Sequence, residues 1–192
     1  MFPILNTKKI VLASKSPRRQ ELMKGLFIPF EVRTKEVNED FPEDLAPTEV
    51  ATYLAEKKAK AFESDLAFDE LLITSDTTVL VDGKVLNKPA NKLEAIDMLK
   101  LLSGKSHQVV SGVCMMDKSR KTVYSDITEV HFNKLSDDEI EFYIDKCQPF
   151  DKAGAYGIQE WIGYAAVHKL VGSFYTVMGL PVHKIYEELK NW

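Results

Sequence analysis

The chain has 192 residues, 28% of them charged and 45% in the apolar set, an ordinary globular mixture that predicts one or at most two domains and a core needing no disulfide staples. A net charge of −4 excludes a general electrostatic match to nucleic acid, so any bound anion must be held by a local cluster of positive groups. Cys114 and Cys147 stand in no CxxC or metal-ligand spacing, no apolar run approaches the ~20 residues that cross a bilayer, and no signal peptide is visible, so a cytoplasmic protein is expected.

In chain order, the apolar run Ile10–Ala13 predicts a short strand. A helix follows from about Pro17 to Gly25, with Ser16 as a good N-cap, Pro17 suited to the first helical position and Gly25 suited to the end. A second strand is predicted near Ile28–Val32, and the acidic, proline-punctuated stretch Val37–Pro47 reads as a loop. A long helix is predicted after Thr48 to about Ser64, with Val50, Leu54 and Ala61 inward. Leu71–Val81 is rich in β-branched residues and predicts a strand; Asp82-Gly83 signals a two-residue hairpin and Lys84–Leu86 the return. Asn91 and Glu94 open a helix ending at Gly104. Strands are predicted at about His107–Met116 and Thr122–Phe132, and Ser136 with Glu139 caps a helix through Lys146. Asp151–Gly163 reads as a glycine-punctuated loop, followed by a strand near Tyr164–Leu170 and a last helix from Pro181 to about Lys190. Interleaved helices, strands and hairpins point to an α/β or α+β fold with a mixed sheet, as one continuous unit over residues 1–192.

Some residues sit where structure alone would not put them. Arg18 and Arg19 occupy the first turn of a predicted helix, where acidic residues normally complement the macrodipole. A bound phosphate would reverse the sign of that cost, taking N–H bonds from the helix start and bidentate bonds from arginine. A solvated basic helix start is the alternative. Asp76 lies inside a predicted strand, a place that disfavours aspartate, and alternation puts Thr74, Asp76 and Thr78 on one face with Ser75 and Thr77 on the other. A carboxylate kept there is paired, hydrogen-bonded or given to a metal, unless the strand ends early and leaves it in a solvated turn. Lys88 follows the hairpin, one of Lys57 and Lys58 can point inward from the long helix, and Glu39 lies in the acidic loop. In Asp151–Gln159 small residues allow close backbone approach, while Tyr156 and Gln159 offer stacking and an amide for a base. The four histidines show no metal-ligand spacing, and neither GxxxxGK[ST] nor GxGxxG occurs.

Together these segments resemble the Maf family of nucleotide pyrophosphatases. The matching stretches are Leu12–Leu22, Ser75–Val79 with Leu86–Pro89, Leu102–Val109, Asp151–Gln159, and Gly172-Ser173 with Gly179–Pro181, in order over nearly the whole chain. The resemblance implies an elongated α/β fold, Maf/ITPase-like, with a mixed β-sheet flanked by helices and two lobes around a central cleft. It implies hydrolysis of nucleoside triphosphates between the α and β phosphates with a divalent metal cation, Mg²⁺ or Mn²⁺. By matching position, Asp76 takes the general-base role, and Ser14, Arg18, Arg19, Glu39, Lys58 and Lys88 fall on substrate and metal-site positions, Glu39 and Asp76 holding the cation. Arg18, Thr77 and Gln159 match positions that distinguish the dTTP/UTP-preferring branch from the branch acting on methylated GTP. CTP and modified pyrimidine nucleotides are further expected substrates, and a homodimer is implied. Lys15 replaces a frequent glycine, Tyr175 and Met178 vary their segment, and Trp161–Ala166 follows no family pattern.

The mechanism expected is one in which Ser14, Arg18 and Arg19 hold phosphate oxygens and Lys58 and Lys88 neutralise charge on the leaving pyrophosphate. Asp76 deprotonates a water aimed at the α-phosphorus, and Thr77 and Gln159 contact the pyrimidine edge. The rival reading is a non-catalytic nucleotide-binding regulator of cell division, acting in septum formation. A third is a phosphatase that removes the terminal phosphate, and a bare scaffold would leave the misplaced charges unexplained.

Overall fold

A computed structural model of the protein describes residues 2–192. The elements that carry the site come first in the chain. Strand β1 (Lys9–Leu12) is buried at three of its four residues and leads into helix α1 (Pro17–Lys24). Ser16 caps α1 by accepting from Arg19 N–H, as its position predicts. Gly25 does not terminate the helix in a left-handed turn: it stays right-handed at φ −60, and the positive φ falls instead on Phe27, at 54°. Successive main-chain bonds from Leu26 to Met23 and from Phe27 to Lys24 tighten the exit, so the reversal comes two residues late. Strand β2 (Phe30–Val32) is shorter than expected and runs parallel to β1.

Helix α2 (Val50–Lys60) is preceded by a 3-10 turn, Pro47–Glu49. It ends four residues before the predicted limit at Ser64, because Phe62 and Leu66 turn into the core and bonds such as Phe62 N–H to Ala59 O replace helical ones. Its buried face is Val50, Ala51, Leu54, Ala55 and Ala59, while Ala61, expected inward, is only half-buried. Strand β3 (Glu70–Val81) pairs parallel with β1 and antiparallel with β4 (Lys84–Leu86). Between β3 and β4, Asp82 and Gly83 take φ of 50° and 75°, the two consecutive positive values that a tight hairpin turn demands.

Helix α3 (Lys92–Leu102) starts at Asn91, whose side chain accepts from Glu94 N–H, but Glu94 reaches Ala90 N–H and not the cap itself. Strands β5 (Ser106–Met116) and β6 (Lys121–Phe132) follow, then helix α4 (Asp137–Cys147), which opens with the full reciprocal capping box of Ser136 and Glu139. The segment expected as a loop holds two 3-10 turns, Pro149–Asp151 and Ala153–Ala155, and then a short helix α5 (Trp161–Ala165). That helix overturns the expectation of a strand from Tyr164: bonds from Gly163 N–H to Glu160 O and Ala166 N–H to Ile162 O wind the chain, and β7 (Val167–Val171) begins only afterwards. A short helix α6 (Phe174–Met178), unforeseen in the sequence, precedes α7 (Val182–Asn191).

The sheet has seven strands in the order β2-β1-β3-β5-β6-β7 with β4 on β3, and β7 is antiparallel to β6. It is mixed, as the coexistence of crossover helices and hairpins requires. The chain divides into two compact units, Met1–Asp76 with Ser111–Asp126 and Gly179–Trp192, and Thr77–Val110 with Ile127–Met178. The first unit has a core that includes Val11, Ala55, Ala59, Phe62, Leu66, Leu72 and Cys114. The second packs α3 and α4 over β-strand residues, with Leu99, Leu102, Val109, Val130, Phe132, Ile140 and Tyr143 among its buried members. Within the first unit Gly112 of β5 lets α2 lie close: a Cβ there would sit 2.3 Å from Ala51 C and 2.4 Å from Thr52 N.

Candidate active site

Asp76 lies within β3, 8% exposed, so the strand does not end early and the carboxylate is not in a solvated turn. Strand alternation aims Thr74 and Asp76 at α2: Thr74 Oγ1 donates to Ala55 O at 2.6 Å, and Asp76 accepts from Lys58 Nζ. Ser75, pointing the other way, donates through Oγ to Gly179 O at 3.2 Å. Helical spacing resolves the Lys57-Lys58 ambiguity. Lys57 reaches Asp40 O at 2.7 Å, whereas Lys58 turns inward and bridges Asp76 Oδ1 and Glu39 Oε1, the latter at 2.8 Å. One ammonium thus gathers a carboxylate from a central strand and one from the acidic loop.

The start of α1 adds the arginines. Ser14 is 6% exposed, its Oγ accepts from Ser16 N–H at 3.2 Å, and its carbonyl accepts from Gln20 Nε2 at 3.1 Å, so the residues before the helix are fixed by their own side chains. Arg19 donates through Nε to Gly179 O at 2.7 Å and through Nη1 to Ser75 O at 3.0 Å. It therefore ties α1 to β3 and to the chain before α7, a framing role its sequence position did not announce. Burial pulls Arg19 below the usual arginine range, the Asp76 charge pushes it up, the Arg18 charge pulls it down and Glu39 pushes it up. All four groups share one electrostatic neighbourhood in the first unit, with Ser14 and Lys58.

Thr77, Lys88 and Gln159 belong to the second unit. Thr77 follows Asp76 directly in β3 and is half-buried, and Lys88 is exposed beyond β4. Gln159 is half-buried after the Asp151–Ile158 turns, and its Oε1 is buried with no hydrogen-bond partner among the described residues. Tyr156, expected as a stacking platform, is instead buried at 5% exposure, its hydroxyl 2.7 Å from His107 Nε2 and its ring edge-on to Phe132. Desolvation there pulls His107 down to about 4, and the His131 charge adds to the fall, so a neutral imidazole is part of the packing. Three further polar residues of this unit escaped the sequence reading. Lys152 is 8% exposed and pairs with Asp151 at 2.7 Å and Glu160 at 3.0 Å, and Glu160 accepts from the Tyr143 hydroxyl. A lysine inside a run of glycine and alanine was the one available signal.

The donor set bears on the expected cation. Among the described residues no three His, Cys, Asp or Glu side chains cluster as metal ligands, so a closed protein cage is not offered. Glu39 and Asp76 nevertheless converge on the same Lys58 Nζ. Two carboxylates on one point fit a hard cation such as Mg²⁺, which is commonly bound by one or two carboxylates together with substrate phosphates.

Known proteins are similar to this chain over its whole length. The dTTP/UTP pyrophosphatase of Bacteroides thetaiotaomicron is 51% identical over 192 residues, covering all of both chains. That of Parabacteroides distasonis is 51% identical over 193 residues with the same coverage, and that of Flavobacterium psychrophilum is 49% identical over 95% of this chain and 94% of its own. Among solved structures, the Staphylococcus aureus Ham1 protein is similar over 94% of this chain and 98% of its own, with a TM-score of 0.49 and 18% identity. The family model described as Maf-like protein matches residues 9–192, and the chain belongs to the Maf family.

Proposed function

We propose that the protein is a nucleoside triphosphate pyrophosphatase that hydrolyses dTTP and UTP to the monophosphate and pyrophosphate, with CTP and modified pyrimidine nucleotides as further substrates. The observation that carries the chemistry is the buried carboxylate of Asp76 in a strand, held with Glu39 on one lysine beside Arg18 and Arg19. In the reaction, Asp76 takes a proton from a water whose oxygen forms the new bond to the α-phosphorus. The bond from that phosphorus to the bridging oxygen breaks, and its electron pair leaves on pyrophosphate. Arg18, Ser14 and the first turn of α1 hold phosphate oxygens, and Lys58 and Lys88 neutralise charge on the leaving group. Arg19 contributes charge from a position braced by two carbonyls. A divalent cation, Mg²⁺ or Mn²⁺, held by Glu39 and Asp76, would supply further neutralisation of the phosphates.

Base selection rests on Thr77 and Gln159. Gln159 is half-buried, and its amide suits the pyrimidine edge: the imide N–H of uracil or thymine can donate to an amide oxygen where the bare ring nitrogen of cytosine cannot. The reading carries with it a cytoplasmic enzyme with a small-molecule partner, working as a homodimer. Among the described residues no helix is long and apolar enough to cross a membrane. Purified protein incubated with dTTP, UTP, CTP and ATP plus Mg²⁺ tests the proposal. Pyrophosphate from dTTP and UTP, abolished by chelator and restored by the cation, is expected. Orthophosphate with a diphosphate product would replace it with a terminal phosphatase, and tight binding without product would replace it with the septum-formation regulator.

A further inference from the structure

Gln159 sits inside a turn that one buried side chain grips on both sides. Tyr143 of α4 is 0% exposed, and its hydroxyl accepts from Gly157 N–H at 2.9 Å while donating to the Glu160 carboxylate. Glu160 N–H closes the turn on Gly157 O at 3.0 Å, leaving Ile158 and Gln159 at its centre. The second Glu160 oxygen pairs with buried Lys152 at 3.0 Å. Gly157 is the residue that makes room, because a Cβ would lie 3.0 Å from Glu160 Cδ and 3.1 Å from Lys152 Cε.

A buried phenol and ion pair are a poor way to gain stability, since apolar residues of similar volume commonly do as well or better. What such a network does supply is a fixed geometry, because each partner has bonds in defined directions. Here Gly157 and Glu160, which flank Ile158 and Gln159, have their bonds to Tyr143, while the Gln159 Oε1 is buried without a partner among the described residues. We propose that Tyr143 is a specificity-positioning residue: by holding Gly157 and Glu160 it fixes the Gln159 amide for the pyrimidine edge, without itself touching the substrate. The proposal rests on the reading of Gln159 as the base contact.

The test measures kcat and KM for UTP and CTP in wild type, Tyr143→Phe, Gln159→Ala and the double variant. Leu99→Ala, fully buried in the core of the same unit, serves as a control for lost packing, with thermal midpoints recorded throughout. Tyr143→Phe keeps the ring and removes both hydroxyl bonds. KM for UTP is expected to rise about 3- to 10-fold with kcat little changed, so that the UTP:CTP ratio of kcat/KM falls toward that of Gln159→Ala. In the Gln159→Ala background the Tyr143 change should no longer move the ratio, because the two act through one contact. Leu99→Ala should lower the midpoint and leave the ratio alone. An unchanged ratio in Tyr143→Phe, with Gln159→Ala still collapsing it, overturns the positioning role and spares the base reading. Equal losses for UTP and CTP, as a packing defect gives, overturn it too. An unchanged ratio in Gln159→Ala removes the base reading and the proposal together.

Discussion

Replacing Asp76 by Asn separates chemistry from architecture. The amide keeps the shape of the carboxylate, and its oxygen can still accept from Lys58 Nζ. Lys58 also keeps Glu39 at 2.8 Å, so it is not left as a buried charge alone. Because the amide keeps a hydrogen bond to Lys58, the stability change should stay below the ~3–5 kcal/mol of a buried pair broken outright. A lost general base, by contrast, lowers turnover by roughly 10²–10⁴-fold, or about 3–5 kcal/mol of activation free energy. Kinetics and folding should therefore diverge: pyrophosphate release from UTP under saturating Mg²⁺ should nearly vanish while the thermal midpoint moves little. Turnover within about threefold of wild type, far short of the loss that general-base removal brings, would take Asp76 out of the proton transfer. A collapse of the midpoint in parallel with activity would instead show that the carboxylate is chiefly structural.

Two further predictions concern the frame around the site. Gly112→Ala puts a methyl against the main chain of α2 at Ala51 and Thr52. It should cost about 1–3 kcal/mol or more by urea denaturation and lower kcat, since α2 cannot give way without displacing Lys58. The Arg33 guanidinium, bound to Glu70 at 2.6 Å and 3.0 Å, holds that carboxyl at about 2, against the opposing effect of burial. Because the folded value is depressed, the stabilisation is present above the unfolded carboxyl range near 4.5 and is lost as pH falls from there through about 2. With Arg33 one-third exposed, the contribution is about 1–2 kcal/mol, so the stability gap between wild type and Glu70→Gln should close over that acid window in pH-resolved denaturation. A gap independent of pH would assign the pair no electrostatic role.

Much of this architecture was legible as short-range pattern. Ser16, Asn91 and Ser136 cap the helices they precede, Asp82-Gly83 turns the hairpin, and the β-branched run before it forms the strand that carries Asp76. Each of these is decided within a few residues, by side-chain bonds to neighbouring N–H groups or by allowed φ and ψ. The misreadings came where distant packing overrode local preference. Tyr164 and Ala165 have a reasonable strand composition, yet bonds from Gly163 and Ala166 back to the preceding turn wind them into α5.

The order of residues alone determined that an aspartate would stand in a strand, that two arginines would open a helix against its dipole, and that the chain would build a mixed sheet. Only tertiary structure decided that Lys58 and not Lys57 meets Asp76, that Arg19 spends two donors on the carbonyls of Ser75 and Gly179, and that Tyr143 clasps the turn bearing Gln159. The physical reason is range. Caps, turns and alternation are settled between near neighbours, whereas an ion pair or a buried hydroxyl bond needs partners that only the completed fold brings within about 3 Å of each other.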